Sequence, residues 1–127
     1  MRYLVVLGGL FVMVLLTAPA LAVEVVDAVI TTAIVDREPV DSVEVFPIQN
    51  GKLYCFTRII GAEDSTVVYH VWSRDDQLMS RVELPVNSSD WRTWSAKRFL
   101  VDWSGRWHVE IQDADGKRLR QVDFQLR

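Results

Sequence analysis

A chain of 127 residues with a net charge of −3 and half of its residues hydrophobic has room for one domain and little more. The mildly acidic balance offers no basic face for a nucleic acid. A single cysteine, Cys55, rules out an intramolecular disulfide, so a hydrophobic core must hold the fold.

The first 22 residues read as an export signal. Arg2 supplies a short positive end, Leu4 to Leu16 is an apolar run, and Ala20-Leu21-Ala22 fits a small-x-small cleavage site. Cleavage there would start the mature chain at Val23. A retained anchor is the rival reading, because Leu4 to Ala22 is close to the roughly 20 residues that span a bilayer. The expected location is therefore periplasmic or otherwise extracytoplasmic, with membrane contact only if residues 4–22 are kept. Residues 23–127 form the single expected domain.

From Val25 onward the hydrophobic pattern has period two. Val25 to Val35, rich in β-branched residues, reads as a first strand, ended by Asp36-Arg37-Glu38-Pro39. Val43 to Phe46 is a short second strand, closed by Pro47 and Asn50-Gly51. Lys52 to Ile60 follows, with Cys55 expected as a small buried core residue. Across the polar turn from Gly61 to Ser65, Thr66 to Ser73 reads as its antiparallel partner. Gln77 to Leu84 alternates until Pro85 breaks it. Trp91 to Phe99, Arg106 to Gln112 and a last strand with Val122, Phe124 and Leu126 inward complete the set. Trp107, Val109 and Ile111 share one apolar side. Asp113-Ala114-Asp115-Gly116 is a tight turn; read as a calcium loop it would put Ile111 and Val122 at ligand positions, so no metal is expected. Seven or eight short strands with turns at about ten-residue spacing imply a small antiparallel β-sandwich of immunoglobulin-like architecture, without its disulfide.

Several fragments, taken together, resemble the bacterial family called Domain of Unknown Function 2914. They are Arg37-Glu38-Pro39, Tyr54-Cys55-Phe56-Thr57, His70-Val71-Trp72, Arg92-Thr93-Trp94-Ser95, Gly105-Arg106-Trp107 and Asp113-Ala114-Asp115-Gly116. The resemblance runs from about Val29 to Leu126. It departs from the family at Arg74-Asp75-Asp76-Gln77, a turn where the family typically has a glycine. It implies a small β domain in an envelope-associated bacterial protein and implies no activity.

No nucleophile elbow, phosphate loop or zinc helix is present, so no catalytic residue and no cofactor is expected. A carboxylate pair arranged in space would still allow a small periplasmic enzyme. Four of the five tryptophans lie between residues 91 and 107. Such density means either an aromatic core or an aromatic binding surface. On Thr66–Ser73 the set Val67, Tyr69, Val71 is the more uniformly apolar, which would turn His70 and Trp72 outward. Trp94 shares a side with Arg92, Ala96 and Arg98, opposite to Trp91. His70, Trp72, Arg92 and Trp94 are thus the candidate binding residues. Two functions fit: a non-catalytic envelope module that binds a protein or assembles, and a glycan- or peptidoglycan-binding module using exposed tryptophans. An exposed edge strand would favour the first, and a coplanar row of rings the second.

Overall fold

In the computed structural model the described residues are 2–5, 8–14, 22–47 and 51–127, and among them are ten strands and no helix. The expected cleavage region at Ala20-Leu21, and Asn50 of the Asn50-Gly51 break, lie outside them. No helix among the described residues is long and apolar enough to cross a membrane.

The strands are β1 (Glu24–Thr31), β2 (Ile34–Val35), β3 (Glu38–Pro39), β4 (Val45–Phe46), β5 (Gly51–Ile60), β6 (Thr66–Arg74), β7 (Gln77–Val86), β8 (Asp90–Phe99), β9 (Gly105–Gln112) and β10 (Arg118–Leu126). One sheet has the order β1-β5-β8 and the other β4-β10-β9-β6-β7; β2 and β3 form a separate hairpin. All pairings are antiparallel except that of β4 with β10. The all-β, disulfide-free sandwich expected from the alternation is therefore the observed fold.

Three local expectations are corrected. The first strand stops at Thr31 instead of continuing to Val35. Asp41 causes the break: its carboxylate accepts bonds from Thr31 Oγ1 (2.6 Å), Thr32 N (2.8 Å) and Thr32 Oγ1 (2.6 Å), stapling shut the base of the β2–β3 hairpin. Thr66–Ser73 does not pair with Lys52–Ile60. After Ile60 the chain crosses to the other sheet, so β5 lies between β1 and β8 while β6 lies between β9 and β7. Pro85 does not end its strand, because it sits on the edge strand β7 opposite Val67, where a missing N–H costs no ladder bond.

The core fills the space between the sheets. Ile30, Leu53, Cys55 and Phe99 from one sheet meet Trp72, Trp107, Val109, Phe124 and Leu126 from the other. Cys55 is fully buried, as its apolar neighbours implied, and burial pushes its thiol pKa far up. Trp107 is 1% exposed. Its ring lies edge-on to Phe99 at 4.9 Å and stacks on Phe124 at 6.0 Å, while Nε1 donates to Trp103 O at 3.0 Å. A second cluster, Ile59, Ala62, Val68 and Val86, closes the end where Val23 enters.

Two hairpins turn through consecutive non-glycine residues at positive φ: Asp36 (51°) and Arg37 (64°), then Asp75 (45°) and Asp76 (64°). This is type I′ geometry, which asparagine, aspartate and glycine tolerate best. The second turn is the one where glycine was expected. Here Asp75 takes a structural role instead. Its N–H donates to Arg106 O (2.9 Å), and its Oδ1 accepts from Arg106 N (3.3 Å). The carboxylate occupies the space that a side chain on Gly105 would need, since a Cβ there would lie 2.8 Å from Asp75 Oδ2.

Three outcomes follow in denaturant unfolding. Trp107→Ala should lose about 3–5 kcal/mol, as large core truncations do. Asp76→Gly should gain up to about 1 kcal/mol by relieving the left-handed backbone. Gly105→Ala should destabilise, because the added methyl displaces the Asp75 carboxylate.

Candidate functional site

The four candidate residues divide into two pairs on opposite sides of β8. His70 and Trp72 are both 0% exposed, so the expectation that they face outward together is overturned. They point inward from β6, and the more apolar set Val67, Tyr69, Val71 lies on the outer side. That set is covered in part by polar neighbours: the Arg81 guanidinium lies 3.8 Å from the Tyr69 ring centre, and Tyr69 Oη donates to Glu83 Oε1 at 3.1 Å.

Inside, His70 and Trp72 belong to one chain of hydrogen bonds. Trp72 Nε1 donates to Ser95 Oγ at 3.1 Å. His70 Nδ1 lies 2.6 Å from Ser95 Oγ, and His70 Nε2 lies 3.1 Å from Thr57 Oγ1. Thr57 Oγ1 donates to Thr93 O at 3.2 Å. The hydroxyl protons fix the tautomer. Thr57 has given its proton to Thr93 O, so it must accept from Nε2–H. Burial keeps the imidazole neutral, so Nδ1 carries no proton and accepts that of Ser95, whose oxygen also accepts from Trp72; every polar atom of the group is satisfied. Among the described residues no buried side-chain nitrogen or oxygen lacks a partner.

A serine hydroxyl donating to a histidine is also the pairing of an activated nucleophile. Ser95 and His70 are both buried, and the Ser95 oxygen already serves Trp72. The geometry locks the two sheets together and leaves no approach for a substrate. Burial drives the His70 pKa down to about 3.

Arg92 and Trp94 lie on the outer side of the three-stranded sheet, as the alternation indicated, and Trp91 lies on the inner side with Thr93 and Ser95. Trp94 stands opposite Phe56 on β5, which is 1% exposed although it too lies on the outer side. The β2–β3 hairpin reaches this face. Glu38 Oε1 contacts Arg92 Nη1 at 2.7 Å, and the Arg37 guanidinium lies 5.8 Å from the Trp91 ring centre. Arg37, Pro85, Trp91, Arg92, Thr93 and Trp94 together line a groove of about 280 Å³. Arg37, Pro85 and Trp91 were not singled out as ligand-facing. Arg37 is distant in sequence from β8, and only the hairpin brings it there.

The groove adjoins an open sheet edge. The other edges are irregular. β1 carries a bulge between Val25 and Asp27, β7 carries Pro85 and a register shift, and β4 covers only Gln125 and Leu126 of β10, whose register shifts between Arg118 and Arg120. β8 pairs with β5 along all of Asp90–Phe99 without a shift, and contains neither proline nor bulge. A larger depression of about 760 Å³ lies over the wet face of β9 and β10, lined by side chains such as Glu44, Asp76, Arg106, His108 and Asp123. It mixes charged side chains with Trp107 and Phe124 and contains none of the four candidate residues.

The fold and this rim define a small all-β sandwich domain with arginine and tryptophan on a long, regular edge strand. Residues 65–126 match the family model described as Protein of unknown function (DUF2914), so the resemblance carried by the short motifs holds over β6 to β10. The fragments at Arg37-Glu38-Pro39 and Tyr54–Thr57 precede the matched span. No curated protein matches the chain.

His70 sets a pH dependence of known sign. Its pKa is near 3 when folded and 6.5 as a free group, so the unfolded chain binds the proton that the folded chain excludes. The stabilisation is complete above pH 6.5 and is lost as pH falls toward 3, by at most about 1.4 kcal/mol per pH unit. Denaturant unfolding of the wild type and His70→Leu between pH 4 and 7 should show a shallower pH slope in the variant.

Proposed function

We propose that this domain is a non-catalytic protein-interaction module of the cell envelope, and that it receives an extended segment of its partner along β8. The observation that carries this reading is the contrast among the edges: β8 is ten residues long, pairs in register throughout and carries neither proline nor bulge, two of the devices that normally prevent pairing. Strand addition gives affinity through main-chain bonds and specificity through pockets at alternate side chains. The groove beside Trp91 and Trp94 supplies such a pocket, and Arg92 and tryptophan are the residue types that dominate interface energetics.

The rival glycan reading calls for rings in a row. Trp91 and Trp94 project from opposite faces of the same strand, which suits a strand in the groove better than a sugar laid flat on it. The locked Ser95–His70 pair supports a binding role over a catalytic one.

A photo-crosslinking residue at Ala96 in the full-length chain, expressed in its native cell, tests the proposal. A discrete protein adduct is expected. Trp94→Ala should reduce its yield about tenfold, in line with loss of a hot-spot aromatic, while the domain stays folded by circular dichroism. Absence of any adduct at Ala96, or co-sedimentation with peptidoglycan that Trp94→Ala abolishes, would overturn the reading.

A further inference from the structure

The outward side chains of β8 run Arg92, Trp94, Ala96, Arg98. At one end a carboxylate is already in place, because Glu38 from the hairpin contacts Arg92 at 2.7 Å. Beside it, Arg58 is held by Asp90 through two bonds of 2.9 and 2.7 Å. At the other end the charges are unbalanced. Arg98 stands directly opposite Lys52 of β5, and both are exposed. Like charges facing each other across a ladder repel. The ion pairs among the described residues are Arg58–Asp90 and Arg92–Glu38, and neither includes Lys52 or Arg98. Among the described residues Lys52 Nζ meets the Tyr54 ring, 5.0 Å from its centre. In a chain of net charge −3, this face concentrates cations beside the open edge.

We infer that the segment received by β8 is acidic, with a carboxylate that pairs with Arg98 and offsets its repulsion from Lys52, and apolar side chains at two-residue steps against Ala96 and Trp94. The inference rests on β8 being the receiving edge. The spacing follows from strand geometry, in which alternate side chains share a face. Glu38 on Arg92 is the same contact made within the chain: a carboxylate arriving from outside the sheet onto the outward row of β8. An anionic polysaccharide would meet the same cations, but it carries no apolar groups at strand spacing to face Trp94 and Ala96.

The test uses the full-length chain and two end-blocked peptides, Glu-Thr-Val-Thr-Val-Thr-Glu and Lys-Thr-Val-Thr-Val-Thr-Lys, with binding read from the Trp94 indole resonance. Their symmetry allows either strand direction. The acidic peptide should bind at least about tenfold more tightly, with affinity falling as salt rises, and Arg98→Glu should reverse the order of preference. Equal affinities, no binding of either peptide, or an order that survives Arg98→Glu would overturn the inference. So would tighter binding of polygalacturonate with the same dependence on Arg98, or self-association of the chain that Arg98→Glu abolishes. An Ala96 adduct that persists in the Arg98→Glu background, on a partner segment without acidic residues, removes the acidic requirement and leaves strand addition standing. Loss of every adduct at Ala96 removes both.

Discussion

The hydrogen-bond chain from Trp72 through Ser95, His70 and Thr57 to the Thr93 carbonyl is the constraint on which the sandwich depends. Apolar packing brings two sheets together but is tolerant of sliding. A line of polar atoms, each with one correct partner, is not. Shifting β6 by one residue against the other sheet would bury an imidazole with nothing to bond, at the cost of an unsatisfied buried polar group. The network therefore sets how β6 lies across β5 and β8. It also places Trp72 among the rings of Phe99 and Phe124, at 6.2 and 6.1 Å.

That network explains which features were legible in the sequence. Period-two alternation suffices where a strand has one apolar and one polar side, so Trp107, Val109 and Ile111 were assigned inward correctly, as was Cys55. It also put Trp91 and Trp94 on opposite sides of β8. It failed on β6, where the apolar count favours Val67, Tyr69 and Val71. What outweighs that count is a set of partners 13, 25 and 23 residues away along the chain, which no local window contains. Similarly, the polar stretch from Gly61 to Ser65 has the composition of a hairpin turn, yet it carries the chain from one sheet to the other. Gly61, at φ 87°, donates to Ser89 O at 2.9 Å, a contact that only the finished fold supplies. The binding rim was half legible for the same reason: Arg92 and Trp94 belong to β8, whereas Arg37 arrives from a hairpin closed by Asp41.

The two sheets divide the work of the domain. The five-stranded sheet spends its outer face on compensated polar groups, such as Arg81, Tyr69 and Glu83. The three-stranded sheet buries Phe56 on its outer side, next to Trp94, and draws the β2–β3 hairpin onto that face. Its edge is thus stiffened from within by Ser95 and from outside by Glu38. A rigid edge is a good template, because little ordering remains to oppose binding.

The direction of β8 has a consequence of its own. Val23, just before β1, packs in the same cluster as Trp91, and the strand runs from there toward Phe99. From Trp91 to Arg98 the strand extends roughly 23 Å at about 3.3 Å per residue. Measured from Val23, the edge is therefore graded: Trp91 and Trp94 lie near it and the unbalanced cations lie farthest along the strand.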